Sequence, residues 1–304
     1  MAITRGSFPL MHQAQVKTWF DDLQSESEHI WRKLYKVTPT DAPFEQITNH
    51  SGFGPMVEKE ELGGITFDSA LQGFSTHFTV LNLALGYAIS TYALDDDKSN
   101  RLHRILTEAL SRSCAETPEL LAFQIINEAF SNTRLYGDQK PLCSLTHPAV
   151  GAGGGVSQNR PTIDCSFSEA AAEDAYINIA RWVNGKGIQK NLRPQMLLVA
   201  TENDANAYRY LNSIGRPGTA NNDPNFTKDT NKFPKGYEAT PYIEDAGQWQ
   251  IITNALNGLT CFERQALKFG EDIQMTSLVH RYIAHRRMVF GCSSWEAMYG
   301  SPGL

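Results

Sequence analysis

The chain has 304 residues, enough for one large or two ordinary domains, and 41% of them are hydrophobic, so a full core is within reach. Its formal net charge of -6 comes from acids and bases that are interspersed rather than blocked, which argues against a dedicated surface for nucleic acid. Five cysteines (Cys114, Cys143, Cys165, Cys261, Cys292) are odd in number, widely spaced and never in a C-x-x-C pair, so they read as free thiols of a reducing compartment.

The first residues hold one arginine and no apolar run, unlike a secretion signal, and nothing approaches a membrane-spanning length; a soluble intracellular product is expected. Residues 12–35 carry Val16, Phe20, Leu23, Ile30, Trp31 and Leu34, which line one face of a helix and need a partner surface. Because Thr38, Pro39, Asp41 and Pro43 separate this helix from the next segment, the partner is expected to be distant, with another chain as one choice and the subunit's own core as the other. From residue 47 to 74 the texture changes. Gly52, Gly54, Pro55, Gly63, Gly64 and Gly73 punctuate short extended pieces, Glu58, Lys59, Glu60 and Glu61 stand in the middle, and glycines around Ile65 and Phe67 fit a projecting hairpin.

Residues 81–90 alternate as a strand: Leu81, Leu83, Leu85, Tyr87 and Ile89 on one face, Asn82, Ala84, Gly86, Ala88 and Ser90 on the other. The strand leads into the longest helical run, residues 95–132, with Asp95, Asp96 and Asp97 at its positive end. Leu102, Ile105, Leu106, Ala109 and Leu110 form its apolar face and Arg101, His103, Arg104 and Glu108 the opposite one. Pro118 removes the donor to Cys114, so the helix either kinks there or restarts with Thr117 as cap. Unbroken, the rod would be roughly 55 Å long at about 1.5 Å per residue.

Residues 137–161 are loop-like. The glycines at 151, 153, 154 and 155 lack the Gly-Lys-Ser/Thr of a phosphate loop, and Cys143 with His147 has no second pair at zinc spacing, so neither a nucleotide nor a metal is expected. Ser166 and Glu169 suggest a capping box before a helix facing inward with Ala172, Ala175, Tyr176, Ile179 and Val183. A buried strand (196–200) and a helix from about Thr201, with Ala205, Tyr208 and Leu211 inward, complete an α/β layer. A polar loop spans 214–236. The last third is mostly strand, at 241–243, 249–253, 258–268 and 279–290, the last carrying His280, Arg281, His285, Arg286 and Arg287, which either face nucleic acid or pair with acids. No nucleophile elbow, metalloprotease helix or triad motif is present, so no catalytic residue and no cofactor is expected.

This order of parts resembles the tailed-phage major capsid protein fold. Within it, Phe67-Asp68-Ser69 with Gln72-Gly73-Phe74, Gly86-Tyr87, Asp95-Asp96-Asp97, Ser144-Leu145-Thr146-His147-Pro148, Asn191-Leu192-Arg193-Pro194, Pro241-Tyr242-Ile243-Glu244-Asp245 and, at the end, Ile283 to Arg287, Phe290-Gly291 and Trp295 look like the Mu-like major head subunit group. The resemblance implies an α+β chain with an N-terminal arm (1–46), an extended β-hairpin loop (47–78), an elongated peripheral domain with a long spine helix (79–134 and 258–290) and an α/β axial domain (135–257 and 291–304). It implies subunit contacts through the loop, at Glu58, Lys59, Glu60, Ile65 and Phe67, and through the arm, at Phe20 and Trp31. The implied function is structural: a subunit that self-assembles as pentamers and hexamers into an icosahedral virion capsid in the bacterial host cytoplasm. Its partners would be the portal, a scaffolding or decoration protein where one exists, and non-specifically held double-stranded DNA, with no membrane. An encapsulin-like nanocompartment shell is the alternative of the same fold.

Overall fold

The computed structural model describes residues 9–26, 29–97, 101–150, 155–215, 223–274, 276 and 278–304. In chain order its elements are α1 (Pro9–Glu26), α2 (Trp31–Leu34), β1 (Lys36–Pro39), β2 (Phe44–His50), β3 (Gln72–Thr79), β4 (Leu81–Ser90), α3 (Thr91–Asp96), α4 (Arg101–Asn127), β5 (His147–Pro148), β6 (Val156–Ser157), α5 (Glu169–Ala180), β7 (Pro194–Ala200), α6 (Asp204–Asn212), α7 (Phe226–Asp229), β8 (Tyr237–Thr240), β9 (Trp249–Thr253), β10 (Leu259–Gln274), β11 (Val279–Cys292) and β12 (Met298–Ser301). They fall into two compact units. One comprises Met1–Glu45, Thr79–Ala122 and Cys261–Phe290; the other comprises Gln46–Phe78, Phe123–Thr260 and Gly291–Leu304. Residues 123–134, expected with the peripheral part, group with the second unit. The glycines at 151, 153 and 154 and positions 216–222 of the polar loop lie outside the described residues.

The first unit is built on a sheet of order β1-β10-β11-β4. β4 and β11 pair antiparallel in unbroken register from Leu81 opposite Met288 to Ser90 opposite Val279. Gly86 allows this: a Cβ there would stand 2.6 Å from the carbonyl oxygen of Tyr282. The N-terminal helices pack on this unit rather than reaching away. Phe20 stacks on Phe269 with ring centroids 4.8 Å apart, Trp31 meets Phe290 edge-on at 5.2 Å, and the Tyr35 hydroxyl donates to the carbonyl of Ala122 at 2.8 Å. Phe20 is 2% exposed and Trp31 fully buried, so within the chain itself both rings, expected at a neighbouring subunit, are covered by their own unit. Aromatic rings of this size gain most where apolar cover is nearest, and the sheet of their own unit supplies it.

The long helix also differs from the expectation. Residues 91–96 form a separate short helix, and α4 begins at Arg101, where the Asp97 carboxylate accepts the N–H groups of Arg101, Leu102 and His103 at 3.1, 2.7 and 3.3 Å. From there α4 runs for 27 residues straight through Pro118, so no restart occurs; Thr117 instead turns its hydroxyl back to the Ser113 carbonyl at 2.7 Å. The rod is about 40 Å long at 1.5 Å per residue. Its inward line in the first unit is largely polar. His103, Thr107, Leu110, Ser111 and Cys114 are buried, with Thr107 bonded to the Tyr87 hydroxyl at 2.8 Å and Ser111 donating to the carbonyl of Phe20 at 3.0 Å. Leu102 and Ile105, expected inside, are about half exposed, and His103, expected outside, is fully buried.

The second unit holds a sheet of order β12-β9-β7-β8, with β7 parallel to β8 and antiparallel to β9. β7 is apolar on both faces because both are covered. Leu197, Val199, Trp249, Ile251 and Tyr299 pack with Ala172, Ala175 and Ile179 of α5 and Ala207, Tyr210 and Leu211 of α6. The α5 cap is Ser168, which accepts from Ala171 N–H, rather than Ser166. The inward positions of α6 are Ala207, Tyr210 and Leu211; Tyr208 is exposed. Residues 241–243 are not a strand, the extended run ending at Thr240. The end of α4 belongs here too: Phe123, Ile125 and Ile126 are buried, and the side-chain amides of Gln248 and Gln250 both donate to the Ile126 carbonyl at 3.1 Å. That arrangement satisfies an acceptor that helix ends leave open.

Candidate assembly surfaces

Between the paired strands β2 and β3, residues 51–71 contain no strand or helix. The expected hairpin is thus limited to its base, where Ser51 N–H donates to the Leu71 carbonyl at 3.0 Å and Leu71 N–H to the Ser51 hydroxyl at 2.9 Å. Gly52, at φ +76°, lets the chain leave the strand there. Beyond it Phe53, Met56, Val57, Leu62, Ile65, Phe67 and Leu71 are all more than half exposed, Met56 and Leu62 completely. Seven large apolar side chains in nineteen residues, held out in water, have no role in the chain's own core; exposed apolar surface of this kind marks interaction sites in general. One contact fixes the segment in its own unit. The Asp68 carboxylate accepts from Gly54 N–H at 2.7 Å, Ser69 N–H at 2.8 Å and the Lys186 ammonium at 2.9 Å.

Of the expected contact residues, Glu58, Lys59, Glu60, Ile65 and Phe67 are therefore at the surface on this loop, whereas Phe20 and Trp31 are spent inside the first unit. A second apolar surface is not apparent from sequence. Leu102, Ile105 and Leu120, at 45%, 53% and 59% exposure, fall on one side of α4. Helical periodicity finds an apolar stripe but does not say whether it points in or out. The available signal is the line His103, Thr107, Ser111, whose hydroxyls and ring are the kind of small polar groups that a packed helix–sheet contact can satisfy.

The cations of β11 are mostly paired. Arg286 is buried and bonded to Glu263 at 3.0 Å, Arg287 donates to Asn82, His280 lies 3.4 Å from Glu271, and His285 is 3.0 Å from Gln265. Two of these side chains thus meet acids and two meet amides, while Arg281, the fifth of the expected set, is exposed. Nor does His147 offer a free nitrogen. Asn159 donates its amide to the carbonyls of Leu142, Trp295 and Met298, which makes its Oδ1 an acceptor; His147 Nε2 must donate to it at 3.0 Å, while Nδ1 meets Asp138 at 2.6 Å. With both ring nitrogens committed and Trp295 stacked on it, this histidine ties loops together. All five cysteines are free; burial pushes the thiols of Cys261 and Cys292 up to about 12. Among the described residues no helix is long and apolar enough to cross a membrane, and no cluster of His, Cys, Asp and Glu is placed to hold a metal.

No family model and no curated protein matches the chain. Solved structures do. The virus-like particle from Pyrococcus furiosus aligns with a TM-score of 0.54 at 11% identity over 95% of this chain and 98% of that one. The procapsid of bacteriophage JBD30 gives 0.51 at 13% identity over 98% and 76%, and the capsid of the native GTA particle 0.51 at 16% over 90% of each chain. The chain has the mixed α and β fold of tailed-phage capsid proteins.

Proposed function

We propose that this chain is the major capsid subunit of a tailed bacteriophage or prophage, self-assembling through pentamers and hexamers into an icosahedral shell around double-stranded DNA. The observation that carries the reading is the extended loop: a subunit of capsid fold that holds seven large apolar side chains in water has its binding partner outside itself. The exposed side of α4 adds area of the same kind, and repeated contacts of modest size sum to a stable shell. The order of motifs along the chain supports placement in the Mu-like group. The portal, scaffolding or decoration proteins and packaged DNA are the further partners in this reading, and the work is done by association, without a catalytic step, in the host cytoplasm.

The similarity to the Pyrococcus furiosus particle supports a second reading, a nanocompartment shell of the same fold around a protein cargo. Expression with the neighbouring head genes, followed by electron microscopy, tests both. Hollow particles tens of nanometres across, of about the size that hundreds of copies build, are expected; DNA inside them favours the phage head and a protein cargo the nanocompartment. A chain that stays a monomer or small oligomer under all such conditions overturns the reading.

A further inference from the structure

A cleft of about 710 Å³ opens in the first unit beside α1, α2, β10 and β11. Four cations line it, Lys17, Arg32, Lys268 and Arg286, against two carboxylates, Asp21 and Glu263. Glu263 is already engaged by Arg286, whose buried Nε has no partner among the described residues. Lys17 and Lys268 are exposed, and the guanidinium carbon of Arg32 lies over the Trp31 ring, 4.7 Å from its centroid. His29 registers the local field: burial first, then Arg32 and Arg286, hold its imidazole below the ordinary value.

The tip of the extended loop carries the complementary pattern. Glu58, Glu60 and Glu61 surround Lys59, all are exposed, and none makes an ion pair among the described residues. Val57 and Leu62 flank them, 68% and 100% exposed. We propose that the acidic tip of the loop, residues 57–62, docks in the basic cleft of a second copy of this chain, an inference that rests on the self-assembly proposed above. The mixed signs favour a peptide over nucleic acid. Three carboxylates and one lysine match the three cations not engaged by Glu263, Lys17, Arg32 and Lys268, with Asp21 beside them, whereas a phosphate backbone, negative throughout, would be repelled by Asp21. Exposed pairs of this kind are individually weak and screened by salt, so the contact sets which surfaces meet more than how tightly.

Charge reversal tests it. Glu58→Lys, Glu60→Lys and Glu61→Lys together, or Lys17→Glu, Arg32→Glu and Lys268→Glu together, should each lower particle yield about tenfold at physiological salt, and the two sets combined in one chain should restore it. A combined variant no better than either set alone, or a cleft reversal that assembles normally, overturns the proposal. DNA binding by the unassembled chain that the cleft reversal abolishes while assembly stays normal would assign the cleft to phosphate instead. If the unaltered chain forms no particles, the capsid reading falls and a separate measurement decides this one. A fluorescent peptide of residues 51–71 should bind the chain carrying the loop reversal and lose about tenfold in affinity when the cleft reversal is added; equal binding to both chains overturns it.

Discussion

Asp68, in the middle of a segment without regular structure, is bound by the ammonium of Lys186, 118 positions later, at 2.9 Å. Together with the N–H groups of Gly54 and Ser69 this gives the loop one fixed point inside a long exposed run. The carboxyl is held down to about 2 from an ordinary 3.8, first by the Gly54 N–H, then by Lys186 and Ser69. A carboxylate depressed in the folded state contributes its anchoring above the ordinary value and loses it as pH falls through the depressed one. Pepsin cleavage at Phe53, Leu62 and Phe67 should therefore stay slow down to about pH 4 and accelerate towards about pH 2. In Asp68→Ala it should be fast across that whole range, with thermal stability unchanged. Identical profiles for the two proteins would show that Asp68 does not hold the loop.

Trp31 is fully buried against Phe290, and its backbone N–H donates to the buried Glu119 at 3.1 Å. Trp31→Ala should cost about 3–5 kcal/mol, the usual range for removing a large core aromatic, and urea denaturation of the unassembled chain measures it. A variant as stable as the parent but unable to assemble would instead place Trp31 at the subunit interface.

The strands and the α/β layer are legible in the sequence because sheets impose short periods: Leu81 to Ser90 alternate in hydropathy, although only Leu83, Tyr87 and Ile89 of that face are covered, and Met196 to Ala200 form a run buried on both faces. The arm is not, because an apolar stripe records a need for cover without naming the cover. Phe20 and Trp31 meet the sheet of their own unit, a contact made with Phe269 and Phe290 more than two hundred residues away. The same limit inverts the faces of α4, where His103 lies inside, its ring tilted against that of Tyr282 with centroids 4.7 Å apart, and Leu102 lies outside. The loop as a projecting segment is visible in its glycines and glutamates, but its exposed Phe53, Met56 and Leu62 have no periodicity, so no pattern singles them out.

Asn159 is fully buried and ties four backbone groups together: its amide reaches the carbonyls of Leu142, Trp295 and Met298, and its oxygen accepts the N–H of Ser144 as well as His147 Nε2. Asn159→Ala would strand these partners away from water, and a cost of about 3 kcal/mol is expected from unsatisfied buried groups at roughly 1–3 kcal/mol each, partly relieved by relaxation. Asn159→Asp should be no better, because a carboxylate would face three carbonyl oxygens. Thermal melting of both variants measures this; an Asp variant as stable as the parent would contradict the assigned donor pattern.

Removing residues 55–64 separates folding from assembly. The cut takes out Met56, Val57 and Leu62, whose side chains touch water rather than core, together with the four charged residues of the tip, and spares Gly54, Asp68 and the Ser51–Leu71 closure. Since stability comes from buried apolar area and these residues bury little, the melting temperature should move by no more than about 2 °C. Association should fail, because the deleted residues supply both the apolar surface and the charges offered to a neighbour. Size-exclusion chromatography and electron microscopy would then find a folded, soluble subunit and no closed particles. A deleted chain that still formed normal shells would show that the loop is dispensable and that the exposed side of α4, with Leu102, Ile105 and Leu120, carries the association instead.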